Sequence, residues 1–447
     1  MSWLRPLGKP QLAGLAITLS LALAAAGCGS GGTGSAQHPT TVAKGPPSHA
    51  ATTATAAGAD PAATSTDLAK LNANRLPGMP EILDATDIYS ADRPNQLSPA
   101  AAAAKPLIYV PNSESNTLDV IDPKTYKIVA HAPVGRLPQH IVPSYDMRKL
   151  WVTNDASDSL TAIDPTTGKL GKTVPVSDPY NMYFTPDGKH AMVVAERLQR
   201  LDFRDPQTMK LQHSLSVPCS GIDHVDFTAD GRTLLASCEF SGKMAVVDVA
   251  TEKLVGMIEL PGAGNIGLPR APGSPAAKGE PRMRSVSEPN FSRNGNGMPQ
   301  DVKLSPDGST FYIADMKANG IYAIDAHTFH VRGLLPTGKG THGLYVSRDS
   351  RYLYVTNRLG GSVSLVDFAT ERVAHTWLIS HGSPDMGGVS ADGKTLWLSG
   401  RYNAEVYAID TRSGKLLARI PVGSGPHGLC VFPQPGRYSL GHTGVFR

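Results

Sequence analysis

From residue 107 onward the chain alternates short apolar runs with turn residues, and the alternation repeats. One stretch shows the unit: THGLYVS, then Arg348-Asp349-Ser350, then YLYVTN, then Leu359-Gly360-Gly361, then SVSLVDF and ERVAHTWLI. That pattern predicts four short strands joined by tight reversals within about 42 residues. Asp-Gly turns at 186–188, 229–231, 306–308 and 391–393 mark the first hairpin in successive units. Glycine suits them because it accepts positive φ. An aspartate recurs at the third turn, at Asp122, Asp164, Asp205, Asp248, Asp325, Asp367 and Asp410, with steps of 42, 41, 43, 77, 42 and 43 residues. Its regularity points to a structural acceptor of backbone hydrogen bonds.

A lone four-stranded sheet cannot bury both faces, so the units must stack, and a four-stranded module of 40–45 residues predicts a β-propeller. The ends of the repeat predict a closed ring. The first unit starts at Leu107–Asn112, which matches a second strand. The missing first strand stands at the far end, as Pro426–Phe432. The expected fold is all-β: seven blades over 105–432, with the C-terminal strand completing blade 1 and closing the ring. The segment 69–104 is expected to pack on the edge of the propeller. The tail 433–447 is expected to cap the channel at the far face, with His442 in a structural place. The 77-residue step holds an insertion over 262–297, rich in Gly, Pro, Ser, Asn and Arg, which is either a lid or partner-binding loop or a surface insertion without structure.

The motifs Tyr354-Val355-Thr356-Asn357, Trp151-Val152-Thr153-Asn154 and Tyr109-Val110-Pro111-Asn112, with Ile420-Pro421-Val422-Gly423 before Pro426-His427-Gly428, resemble the YVTN family of seven-bladed propellers. The resemblance covers residues 105–432. It implies the fold, and an exported or surface-layer-like setting. It implies no single function, because the fold hosts binding proteins, lactonases and metalloenzymes alike.

The front of the chain reads differently. Arg5 and Lys9 precede an apolar run from Leu12 to Ala26, which predicts a signal peptide over 1–27. Ala25-Ala26-Gly27-Cys28 resembles a lipoprotein cleavage site, with Cys28 as the lipidated (palmitoylated) residue. Residues 28–68 are Ser, Thr, Ala, Pro and Gly-rich and predict a disordered tether. The expected location is the outer face of a bacterial cytoplasmic membrane, held by the N-terminal lipid, or else free secretion. A formal net charge of +4 and the lack of a basic cluster argue against nucleic acid as a partner.

Candidate chemistry comes from the position seven residues before each first turn. It yields a ring of Gln139, Tyr180, Asp223, Gln300, His342, Asp385 and His427, with His140, Asn181, His224, Asp301, Gly343, Met386 and Gly428 one residue further on. Innermost strands line a propeller's channel, so these rings should meet at its mouth. The ligand-binding candidates are His140, Asp223, His224, Asp301, His342, Asp385 and His427. Of these, His342, Asp385 and His427 lie on neighbouring blades and suit a divalent metal such as copper or zinc. The bland reading is that such histidines bond the next blade's backbone. Cys219 and Cys238 fall at adjoining ends of one hairpin and predict a disulfide, or else a redox or metal-binding pair. Cys430 reads as a buried free thiol. No serine or cysteine nucleophile stands out. Three functions follow as expectations: a propeller binding a small molecule or protein at the channel mouth without catalysis, a metal-dependent or lactonase-like enzyme using the same residues, or a structural surface-layer component.

Overall fold

A computed structural model describes residues 61–262 and 297–447 except Thr443, with side chains from residue 67, plus the backbone of Arg284–Ser285. The expected signal peptide, Cys28, most of the tether and nearly all of the 262–297 insertion lie outside the described residues. The described residues belong to one compact unit.

Seven antiparallel sheets of four strands follow one another, the fifth extended by the pair Arg284–Ser285. In each blade the three inner strands are apolar and buried, as in Leu150–Asn154 and Ser159–Asp164. The outermost strand, such as Lys127–Pro133 or Lys169–Pro175, is mostly exposed. Core clusters join neighbouring blades: Leu235, Ile313, Leu344 and Val355, from blades 4 to 6, share one cluster. Stacking therefore buries what a single sheet would leave wet. The ring closes as the spacing predicts. Leu107, Ile108 and Tyr109 of blade 1 pair with Phe432, Val431 and Cys430 from the end of the propeller.

The segment before the propeller runs across the face that carries the Asp-Gly turns. The backbone N–H groups of Leu76, Ile88 and Asn95 donate to the carbonyls of Asp230, Pro306 and Ala391, in the first turns of blades 4, 5 and 7. A helix over Pro61–Asn74 precedes it, so the last turns of the stretch expected to be tether are helical. Leu68 and Leu71 of that helix pack on the core, which gives it the apolar burial its composition alone does not suggest. On the same face the tail 433–447 folds into the channel. Phe184 N–H donates to the Leu440 carbonyl at 2.9 Å, and Ser439 N–H to the Tyr145 carbonyl at 3.0 Å. Arg447 is buried with its guanidinium over the Tyr89 ring and 3.1 Å from Asp226 Oδ1.

The third-turn aspartates accept local hydrogen bonds. Asp164 takes the N–H and hydroxyl of Thr166, and Asp410 those of Ser413. Bonds of this kind hold Asp164, Asp205, Asp325 and Asp410 below their ordinary pKa. A depressed carboxylate stabilises the fold fully above the unfolded value, about 3.9, and loses that contribution as pH falls through the folded value. The urea midpoint of the chain should therefore drop from this source as pH falls below about 4. A variant with Asn at 164, 205, 325 and 410 should show a shallower drop than the parent chain, and equal slopes would refute the assignment.

Candidate functional site

In blades 2, 4, 5, 6 and 7 the innermost strand slips register against its neighbour at the same place. The shift falls between Pro138 and Ile141, Ile222 and Val225, Pro299 and Val302, Thr341 and Leu344, and Pro384 and Gly387. The two residues inside each slip are those of the two polar rings. A bulge of this kind takes successive residues out of the ladder and re-aims their side chains. It also leaves a backbone N–H without its ladder partner. In blades 2, 4, 6 and 7 a hydroxyl from the second strand takes its place. His140 N–H donates to Thr153 Oγ1 (2.9 Å), His224 N–H to Ser237 Oγ (2.9 Å), Gly343 N–H to Thr356 Oγ1 (2.7 Å) and Met386 N–H to Ser399 Oγ (3.2 Å). These are the threonines of the YVTN motif and their equivalents. The motif's asparagine does a second job: Asn357 Nδ2 donates to Ser362 Oγ and Ser364 Oγ of the third strand, and Asn154 Nδ2 to Thr161 Oγ1.

The bulges gather imidazoles on the axis. The His140 ring lies 5.4 Å from His224, 4.8 Å from His427 and 4.6 Å from His442, between centroids. His224 lies 4.9 Å from His442 and 6.4 Å from His342. Tyr180 stands edge-on to His140 at 5.3 Å. One nitrogen from each of His140, His224 and His442 falls within 4.8 Å of the others, and all three residues are buried. This trio differs from the one expected from blade adjacency. His342, Asp385 and His427, the trio expected from blade adjacency, also come together beside it: Asp385 Oδ1 lies 3.0 Å from His342 Nδ1 and 3.1 Å from Arg358 Nη1, and its Oδ2 lies 3.6 Å from His427 Nδ1. Asp301 is a stitch between blades, accepting the N–H of Leu344 at 2.8 Å and of Val302 at 2.9 Å. Asp223 Oδ1 approaches His224 Nδ1 at 2.8 Å, too obliquely for a hydrogen bond.

Burial, with added repulsion from neighbouring cationic groups, pushes His140, His342, His427 and His442 well below the ordinary histidine pKa. Burial lowers His224 as well. The imidazoles are therefore neutral, which leaves each a lone pair. Neither ring nitrogen of His140 or of His224 makes a hydrogen bond among the described residues. Buried polar atoms without partners are costly. The donor set fits a borderline transition metal: neutral imidazoles whose nitrogens are buried on the axis. Bonds of 2.0–2.1 Å to a tetrahedral ion need about 3.4 Å between nitrogens, so the rings would draw in slightly from the 4.8 Å limit.

Above the trio, the residue that follows each second strand forms another ring: Ser113, Asp155, Glu196, Glu239, Met316, Arg358 and Arg401. Burial and the neighbouring Asp223 push Glu239 up to about 7 and Glu196 up to about 8. The expected disulfide is present, Cys219 to Cys238, and it clips the start of blade 4's innermost strand beside Glu239. Cys430 is buried and free.

Two elements of this site escaped the sequence reading. His442 sits in a tail outside the repeat, so no blade count could place it on the axis. The upper ring carried a usable signal, since each member directly follows the last residue of a second strand.

The YNCE-like beta-propeller family model matches residues 90–208 and 292–437. The chain belongs to that family. The uncharacterized protein YncE of Salmonella typhi is 26% identical over 144 residues, which span 31% of this chain and 40% of that protein. The chain thus aligns with less than half the length of that relative. Among solved structures, Kuenenia stuttgartiensis hydrazine synthase is similar with a TM-score of 0.53 and 18% identity, over 70% of this chain and 94% of that one. A functionally unknown protein from Desulfotomaculum acetoxidans gives 0.56 and 13%, over 74% of this chain and all of the other. At such identities these likenesses show the propeller fold alone.

The hydroxyl patch gives a direct test. Thr356→Val keeps shape and removes the acceptor for Gly343 N–H, a fully buried group. The variant should lose about 1–3 kcal/mol of stability, read as a lower urea midpoint at constant slope; an unchanged midpoint would refute the patch.

Proposed function

We propose that this propeller is a binding protein that holds a transition-metal ion, zinc or copper, on its axis through His140, His224 and His442, with His342 and His427 alongside. The observation that carries this reading is the convergence of three buried, neutral imidazoles from two bulged strands and the tail. Imidazole nitrogen suits zinc and copper better than magnesium or calcium. The scaffold is of a kind often used to bind ligands and partners.

The protein, stripped with chelator and reloaded with zinc or copper(II), should retain about one ion per chain after desalting. His140→Ala, His224→Ala and His442→Ala should each weaken retention by on the order of a hundredfold, while His375→Ala, on an exposed outer strand, should not. Elemental analysis of the desalted protein is the readout. Background metal in the parent chain, or retention indifferent to the three axial substitutions, would refute the reading.

The proposal extends to location: an exported chain, lipidated at Cys28 and held at the outer face of the cytoplasmic membrane. Support comes from the signal-like front of the sequence and from a disulfide in the propeller, a bond favoured in oxidising compartments. Among the described residues no helix is long and apolar enough to cross a membrane. Labelled palmitate should enter the full-length chain in a bacterial host, and Cys28→Ser should abolish labelling and shift the protein from the membrane to the soluble fraction. Unlabelled parent protein in the soluble fraction would refute it.

A further inference from the structure

The ring above the histidines is split by charge. Following it by blade, Asp155, Glu196 and Glu239 occupy blades 2 to 4, while Arg358 and Arg401 occupy blades 6 and 7. Asp155 is already matched, because Arg197 Nη2 lies 3.3 Å from it. Glu196 and Glu239 form no ion pair among the described residues, and each lies near enough to Asp223 below them to feel its charge. Asp223 is fully buried, and its two oxygens meet no donor in hydrogen-bonding geometry among the described residues, although Tyr180 stands beside it. Among the described residues, three carboxyl groups thus converge without an ion-pair partner.

The opposite half has spare donors. Arg358 gives Nη1 to Asp385 at 3.1 Å and turns Nη2 to Met316 Sδ, but its Nε is buried without a partner among the described residues. Arg401 gives Nη1 to Ser113 Oγ at 2.8 Å and to the Gly425 carbonyl at 3.2 Å. The halves are near one another: Arg358 acts electrostatically on Glu239 and Asp223, and Tyr180 on Arg358. Tyr180 and Tyr402 add aromatic faces on the two sides, with the Arg358 guanidinium 5.5 Å from the Tyr402 ring. An ammonium group between carboxylates and an aromatic ring gains from both. A carboxylate gains most from guanidinium donors.

We propose that the channel mouth binds a small zwitterion, its ammonium toward Glu196, Glu239 and Asp223 and its carboxylate toward Arg358 and Arg401. The site uses residues other than the metal-binding trio and does not depend on an ion being there. A ligand with only one charge would leave one half of the mouth uncompensated.

The test is calorimetry and thermal shift on the chelator-treated protein, with γ-aminobutyrate and lysine as probes and butylamine and butyrate as single-charge controls. At least one zwitterion should bind below about 1 mM and at least about tenfold more tightly than either control. Glu239→Gln and Arg401→Gln should each weaken that binding about tenfold or more. Glu405→Gln, on the third strand of blade 7, should leave it unchanged. Binding of butylamine equal to that of the zwitterions, or no zwitterion bound at about 10 mM, would overturn the proposal. Because metal retention is measured separately, loss of one site does not count against the other.

Discussion

The site rests on a hydrogen bond between a second-strand hydroxyl and an orphaned N–H of the innermost strand. A regular ladder would point successive residues of that strand to opposite sides, and only alternate ones could reach the axis. In blades 2, 4, 5, 6 and 7 a bulge breaks the alternation at one point, so residues 139 and 140, or 223 and 224, both leave the ladder. A bulge in a fully buried strand is costly unless its backbone groups are satisfied. Thr153, Ser237, Thr356 and Ser399 satisfy them from one repeated position. The hydroxyl at the third place of the YVTN motif is thus part of how the axis is furnished, and a β-branched apolar residue there would fit the strand but strand the N–H.

Ring closure and the axial cluster share residues. The segment that completes blade 1 carries His427 and Gly428, and Gly428 exchanges hydrogen bonds with blade 2: Ile141 N–H donates to its carbonyl and its own N–H to Gln139. A β-carbon on Gly428 would come within 2.0 Å of His140 Nδ1. The glycine of Pro-His-Gly therefore makes room for the imidazole of the next blade. The tail then continues through the far face and delivers His442 to the same point. Closing strand, glycine and tail form one connected device, and the fold's last residues position side chains that begin about three hundred positions earlier.

Much of this was legible because the repeat has a strict period. Equal spacing gave the blade number, the missing first strand gave closure, and a fixed offset from each first turn gave both polar rings, since the bulge occurs at a constant place. What the offset could not give was distance across the channel. His342, Asp385 and His427 are neighbours around the ring and do meet, but Asp385 also holds Arg358, a residue outside the counted positions. His140 and His224 lie two blades apart but one residue deeper, where the channel is narrow enough for their rings to touch. Asp301 reads like a ligand by composition and is a stitch by geometry, because the next blade's Leu344 N–H needs an acceptor there. His442 carried no periodic signal at all.

The electrostatics of the axis follow from depth. At the His140 level burial is complete and the only affordable state is neutral, so the channel floor is a set of lone pairs and weak donors. At the level of Glu239 and Arg358 burial is partial, and charge survives where a partner of opposite sign is near. Arg358 keeps its charge because burial is outweighed by Asp385, Tyr402 and Tyr180. Glu196 has no such partner among the described residues, and burial with Asp223 nearby suppresses its ionisation. The two levels therefore call for different chemistry from one opening: coordination by neutral nitrogen below, and charge pairing above. A seven-fold scaffold supplies both because every blade contributes one residue to each level, and only the side chains at those positions break the symmetry.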